Sequence, residues 1–318
     1  MSFWYRDTFA AKLKQKVSWA VHSLYVDIKP DAANTILVCG SGRSGTTWLA
    51  ELINHANDFR FIAEPFEAAP CKMFALRQYL RPENRSAKYL DPAQAVFTGR
   101  IRDARVDSCN RRIIAHRRLV KDVRSNMMLK WIREHFQQMR IVFMIRHPYS
   151  VAGSRARLGW RTDLRNVYFA QDELMYDYLQ PLVNQILRAD TLFERHIVDW
   201  CVENLIPVKQ LRSRDVYVIF YEHLLENPMR ELQRLFLYLG QPFAKSILSH
   251  IGRPSMSSKD SVNRFGDYFG LCQRVAECQK ATARDIVTAF GLQTMYDIYG
   301  KPSVESGEWP ESGLVLVP

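Results

Sequence analysis

The sequence predicts an α/β fold of P-loop-like, three-layer type, with helices flanking a central, mainly parallel sheet. Three observations predict it. Short, branched, apolar runs that suit strands buried on both faces recur at Thr35–Cys39, Arg140–Ile145 and Val216–Phe220. Each leads through a turn into a stretch with the apolar spacing of a helix. A chain of 318 residues that is 47% hydrophobic can also bury a substantial core. No glycine-, serine- or proline-rich linker and no internal repeat divides it, so residues 34–300 are expected to form one domain. Residues 1–33 are expected to add an N-terminal helical extension, in which Phe9, Leu13, Val17, Ala20 and Leu24 recur at helical spacing. Residues 301–318 form the expected C-terminal tail.

The first strand runs into Gly40-Ser41-Gly42-Arg43-Ser44-Gly45-Thr46-Thr47-Trp48, and the helix begins near Thr47. Three glycines let the backbone approach a ligand and take positive φ, and the open N–H groups of the first helical turn then face phosphate oxygens. The helix dipole adds only about 0.3–1 kcal/mol per exposed charge, so direct hydrogen bonds and Arg43 must supply most of the affinity. The spacing Gly40-x-x-x-x-Gly45 fits a nucleotide P-loop, but Thr46 stands where an NTPase needs its lysine. That substitution opposes a kinase or NTPase, the alternative enzyme reading.

The second strand is expected at Phe59–Ala63, ahead of Glu64-Pro65-Phe66-Glu67, and a short third one at Arg118–Lys121. The strand Arg140–Ile145 ends in Arg146-His147-Pro148, where Pro148 suits the first turn of a helix that carries Ser154. Eight residues separate Arg146 from Ser154, so a guanidinium fork and a hydroxyl can grip one phosphate from the same side of this junction. The stretch from about 160 to 211 is mostly helical in pattern and rich in aromatics, an insertion suited to building an acceptor pocket. Its Trp160, Tyr168, Phe169, Tyr176, Tyr178 and Trp200 are, one by one, expected in the core. The strand Val216–Phe220 leads into Tyr221-Glu222-His223-Leu224 and the amphipathic helix from Met229, which Gly240 stops.

The Arg-Ser-Gly-Thr-Thr loop, the Arg146/Ser154 pair and the Tyr-Glu-x-Leu turn, in this order and each behind a strand, resemble the sulfotransferases that use 3′-phosphoadenosine 5′-phosphosulfate (PAPS). The resemblance covers about Asn34 to Tyr299 and is closer to carbohydrate and protein-tyrosine sulfotransferases than to the phenol and steroid type, which usually carries lysine at the Arg43 position. It implies that Arg43, Ser44, Gly45, Thr46 and Thr47 hold the 5′-phosphosulfate, and that Arg146 and Ser154 hold the 3′-phosphate. It further implies that Trp48 covers the adenine, with Tyr221 near the same ring, and that adenosine 3′,5′-bisphosphate is left after transfer. No metal is implied. The Arg-Lys-Gly loop of the phenol and steroid branch is missing; Arg253–Lys259 occupies its place, with Ser257 and Lys259 as candidate contacts.

Sulfuryl transfer needs a cation at the leaving phosphate, a cation or donor at the sulfuryl oxygens, and a base for the acceptor proton. Arg43 suits the first role and Lys121 the second. For the base, a catalytic glutamate of the tyrosine sulfotransferases stands at the distance beyond the loop arginine that Glu64 has here; the alternative for Glu64 is a structural ion pair with an arginine. His116 and Asp122 are reserve bases. The resemblance implies a hydroxyl, or else an amine, of a carbohydrate or polar small molecule as acceptor. A nucleotide-binding relative without activity is the non-enzymatic alternative, opposed by the presence of both Arg43 and Lys121.

The net charge of +11 agrees with an anionic ligand or an acidic partner. The densest basic stretch, Arg100, Arg102, Arg105, Arg111, Arg112, Arg117, Arg118 and Lys121, is either a solvated face or the rim of an anionic-substrate site. No helix–turn–helix, zinc-ligand spacing or interleaved stacking motif supports nucleic-acid binding. Six scattered cysteines form no metal pattern and fit a reducing compartment. No run approaches the ~20 apolar residues that span a bilayer, no signal peptide follows Met1, and a cytoplasmic location is expected.

Overall fold

The computed structural model describes residues 26–110, 113–253, 277–297 and 300–310. Its centre is a five-stranded, all-parallel sheet. In chain order the strands are β1 (Val26–Asp27), β2 (Thr35–Gly40), β3 (Arg60–Ala63), β4 (Ile114–Ala115), β5 (Arg118–Asp122), β6 (Arg140–Ile145) and β7 (Tyr217–Phe220). The sheet order is β3-β5-β2-β6-β7, and β1 pairs with β4 as a separate two-stranded ribbon. Because all five sheet strands run the same way, their C-terminal ends share one edge, where ligands meet open α/β sheets.

The apolar runs become central strands because both of their faces are covered. Leu37, Cys39, Val120, Ile141 and Phe143 join the core on one face, while Ile36, Val38, Leu119, Val142 and Met144 join the core on the other. The second face is packed by α1 (Thr46–Ile53) and by a helix over Pro228–Leu239, which ends at Gly240 in the left-handed conformation. The first face is packed by α2 (Ala87–Phe97), α3 (Leu129–His135), α4 (Pro148–Arg157) and α5 (Leu192–Gln210). Three layers result, as the strand pattern predicts.

Within the described residues, both ends of the chain contact the central domain. Phe9 to Tyr25 lie outside the described residues, but Val26–Asp27 is a strand rather than the close of a helical extension. The carboxylate of Asp27 binds Arg60 Nη1 at 2.6 Å and Arg118 Nη1 at 2.9 Å, which ties this segment to the sheet. In the expected tail, Gly307 N–H donates to the Val218 carbonyl at 2.8 Å and Trp309 Nε1 to the Val208 carbonyl at 3.1 Å, so residues 301–310 pack on the domain.

The described residues of the basic stretch from Arg100 to Lys121 do not share one face. Arg118 is fully buried, Arg105 pairs with Glu67 at 2.5 Å, Arg102 donates to the Gly99 and Ile101 carbonyls, and Arg117 lies over the Phe59 ring. Arg111 and Arg112 lie outside the described residues. Among the described residues no helix is long and apolar enough to cross a membrane.

Candidate active site

The loop from β2 to α1 is shaped by close contacts that only glycine tolerates. Gly45, at the N-cap of α1, has φ 96°, and a side chain there would meet Tyr221 Cδ2 at 2.8 Å. A side chain on Gly40 would meet the Met144 carbonyl oxygen at 2.2 Å. Between them Arg43 takes φ 77°, an uncommon conformation for a residue with a Cβ. Ser44 N–H closes the turn on the Ser41 carbonyl at 2.9 Å. The Ser44 hydroxyl is buried and has no hydrogen-bond partner. Thr46 is buried and Thr47 half-buried at the first turn of α1.

The second predicted segment, around Arg146 and Ser154, lies directly against this loop. Ser154, buried on α4, accepts a hydrogen bond from Arg43 Nε at 3.1 Å, and Arg146 Nη1 donates to the Arg43 carbonyl at 3.2 Å. The Arg146 guanidinium sits 4.1 Å over the Tyr221 ring, and its buried Nε has no hydrogen-bond partner. The expected Arg146/Ser154 pair is thus brought together through Arg43, whose guanidinium reaches Ser154 and whose carbonyl accepts from Arg146. The helix start is held by Glu222, whose carboxylate accepts the His147 N–H at 3.0 Å and the Tyr296 hydroxyl at 3.2 Å. Burial pushes the Glu222 carboxyl up to about 7. Burial, then the positive charge of Arg146, pushes His147 down to about 3, so this imidazole is neutral.

Trp48 is only 2% exposed, with its ring centroid 5.6 Å from that of Tyr221. It forms one wall of a cleft of about 240 Å³ that Glu51, His55, Asn57, His250 and Arg253 also line. Its indole N–H is buried without a partner.

On the other side of the loop, the sheet register sets Lys121 between Val38 and Ala63. Glu64 follows Ala63 directly, with φ 48°, and its N–H donates to the Lys121 carbonyl at 2.7 Å. The two side chains meet: the Lys121 ammonium donates to Glu64 Oε1. Glu64 Oε2 accepts the Val123 N–H at 3.1 Å and lies 3.6 Å from Arg124. The Glu64 side chain keeps 22% exposure and Lys121 keeps 9%, so the pair is reachable from this edge. Asp122, one of the reserve bases, is fully buried and accepts the Phe66 and Arg124 N–H groups, which shapes the turn beneath Glu64. Burial, and then the charge of Glu64, pushes its carboxyl up to about 7. His116 is exposed. Ser257 and Lys259 lie outside the described residues.

One set of charged residues was not anticipated. Within α5, Asp199 and Glu203 are buried. Arg77 Nη1 lies 3.1 Å from both carboxylates, and Arg155 Nη2 lies 2.8 Å from Glu203. Tyr168 donates to Asp199 at 2.8 Å. Burial opposes ionisation of Asp199, yet Arg77, the His196 hydrogen bond and Arg155 together hold its carboxyl well below the usual range. A trace of this is visible in the sequence, because Ile197-Val198-Asp199-Trp200-Cys201-Val202-Glu203 puts two carboxylates four apart in an otherwise apolar run. Such a pair inside a buried helix needs cationic partners.

A glycine-bounded turn into a helix N-terminus, two arginines and a serine around it, and a lysine–glutamate pair one strand away define a P-loop-like α/β protein with several cations at one sheet edge. The Sulfotransferase family model matches residues 35–245, and the chain belongs to that family. It is 25% identical over 287 residues to Nodulation protein NoeE of Sinorhizobium fredii (strain NBRC 101917 / NGR234), a match that covers 85% of this chain. The chain spans 65% of that relative's length. Among solved structures, mouse sulfotransferase SULT7A1 complexed with PAP aligns over 86% of this chain and 90% of its own, with TM-score 0.45 and 15% identity. The sulfotransferase domain of the Synechococcus PCC 7002 olefin synthase aligns over 83% and 94%, with TM-score 0.45 and 14% identity. Among the described residues, no group of three or more His, Cys, Asp or Glu side chains is arranged to hold a metal ion.

Proposed function

We propose that this protein is a PAPS-dependent sulfotransferase that moves the sulfuryl group to a hydroxyl of a carbohydrate or polar small molecule. The observation that carries the reading is the placement of Arg43 between the Arg146/Ser154 segment and the Lys121–Glu64 pair, along one edge of a parallel sheet. The donor chemistry fits the residues. The Gly45 turn gives close backbone approach, and the buried Ser44 hydroxyl and Arg146 Nε lack partners that anionic oxygens would supply. The cleft beside Trp48 is large enough for a purine ring.

In the proposed reaction, the acceptor hydroxyl attacks sulfur in line with the bond to the 5′-phosphate. The new S–O bond forms as the bond between sulfur and the phosphate oxygen breaks, and adenosine 3′,5′-bisphosphate leaves with the electron pair. Arg43 and the N–H groups of Ser44 to Thr47 balance the charge that grows on that phosphate. Lys121 turns from Glu64 to the sulfuryl oxygens, and Glu64, so released, takes the acceptor proton. The role of the Lys121–Glu64 contact is then to hold both groups poised rather than to stabilise the fold.

Calorimetric titration with adenosine 3′,5′-bisphosphate and with ATP, both without magnesium, tests the donor assignment. Binding of the bisphosphate in clear preference to ATP is expected. Binding of ATP alone, or of neither, would overturn the reading.

A further inference from the structure

Helix α5 reaches both anion loops along one edge. Trp200 Nε1 donates to the Arg146 carbonyl at 2.9 Å, and Asn204 Nδ2 donates to Ser41 Oγ at 3.2 Å. Between them Glu203 holds Arg155, whose Nε donates to the Gly42 carbonyl at 3.0 Å. Residues 200, 203 and 204 share a face of the helix, so one rigid element touches the β2–α1 loop and the β6–α4 junction at once.

We propose that Arg155 and Glu203 are positioning residues that aim the loop at its ligand. A trans peptide unit is planar, with its C=O and N–H on opposite sides. Pulling the Gly42 carbonyl toward Arg155 therefore turns the Arg43 N–H the other way, and limits how the residue carrying the key guanidinium can rotate. The planar fork matters here: Arg155 bonds a carbonyl through Nε and a carboxylate through Nη2 in one plane, which a lysine ammonium cannot reproduce. Both partners are fully buried, so solvent does not compete for the Gly42 carbonyl. Arg77 contacts the second oxygen of Glu203 at 3.1 Å and keeps that carboxylate compensated when Arg155 is changed.

This inference rests on the proposed donor site, and its test separates the two. Arg155→Lys and Glu203→Gln are titrated with adenosine 3′,5′-bisphosphate, adenosine 5′-monophosphate and adenosine 3′-monophosphate, with thermal denaturation of each variant alongside. The two ligands that bear a 5′-phosphate are expected to bind about tenfold more weakly, and the 3′-monophosphate within about twofold of wild type. Equal losses for all three ligands, or lower thermal stability with unchanged affinities, would reduce Arg155 to a structural residue and overturn the proposal. Wild-type protein that binds none of the three would instead remove the donor site on which the inference depends.

Discussion

Arg43 Nε donates to Ser154 Oγ at 3.1 Å, across 111 residues of chain, and joins two segments that the sequence assigns to opposite ends of one nucleotide. One side-chain hydrogen bond thus links the two candidate phosphate segments. A loop served only by helix N–H groups would have about 0.3–1 kcal/mol of dipole attraction per exposed charge, so the Arg43 guanidinium is expected to supply most of the affinity for the 5′-phosphate.

Arg43→Ala is expected to lower transfer at least about a hundredfold, because it removes the cation at the leaving phosphate. Steady-state turnover with excess acceptor measures this. Arg43→Gly relieves the φ 77° backbone as well, so similar losses in both variants would assign the effect to the guanidinium rather than to the loop conformation.

Glu64→Gln keeps the size of the side chain and leaves the Val123 N–H an acceptor, but removes the base. Turnover should fall roughly 10²–10⁴-fold while bisphosphate affinity stays within a few-fold of wild type. If turnover is unchanged, Glu64 is a structural partner of Lys121 and Arg124, and the base must be sought elsewhere.

Arg146→Ala should weaken adenosine 3′,5′-bisphosphate far more than adenosine 5′-monophosphate. A charge-assisted fork on phosphate is worth about 1.5–3 kcal/mol, which corresponds to roughly 10–150-fold in affinity. Equal losses for the two ligands would show that Arg146 acts through its contacts with the Arg43 carbonyl and the Tyr221 ring.

Gly45→Ala places a methyl group 2.8 Å from Tyr221 at φ 96°, and is expected to destabilise the fold by about 1–3 kcal/mol. Chemical denaturation reads this directly. The loop should also lose bisphosphate affinity, because α1 cannot begin in place.

The raised carboxyl of Glu222 makes a pH prediction. Folding lifts it from its ordinary 4.5 to about 7, so the native state binds more protons than the unfolded chain between those values. Its contribution is fully present below about pH 4.5 and is lost as pH rises to about 7. Glu222→Gln cannot ionise and should be the more stable form at pH 8, by at most about 3 kcal/mol. A stability difference between the two proteins that does not change across this window would mean that Glu222 is ordinary in the folded state.

The strands and the first anion loop were legible because their signals are local. A run such as Arg140–Ile145 declares a strand by its branched apolar residues, and Gly40, Gly42 and Gly45 declare a turn by the conformations that glycine alone accepts readily. The two-residue strands at Val26 and Ile114 carry no such pattern. Arg118, part of the basic stretch whose sequence fits a solvated face or an anionic rim, and Arg60 in β3 are buried because Asp27 and Asp107 are brought to them from distant segments. The α5 carboxylates were missed for the same reason, since their cations, Arg77 and Arg155, lie far from them in the chain.

The sequence by itself determined the element types, the parallel sheet and the two strand-to-helix turns that carry the candidate ligand residues. These follow from side-chain period, β-branching and the steric limits of single residues, none of which needs a partner from elsewhere in the chain. Only the tertiary structure decided that Arg43 lies on Ser154, that Lys121 meets Glu64, and that α5 braces both loops. Those contacts depend on strand order and register, because hydrogen bonds and ion pairs reach only about 3–4 Å.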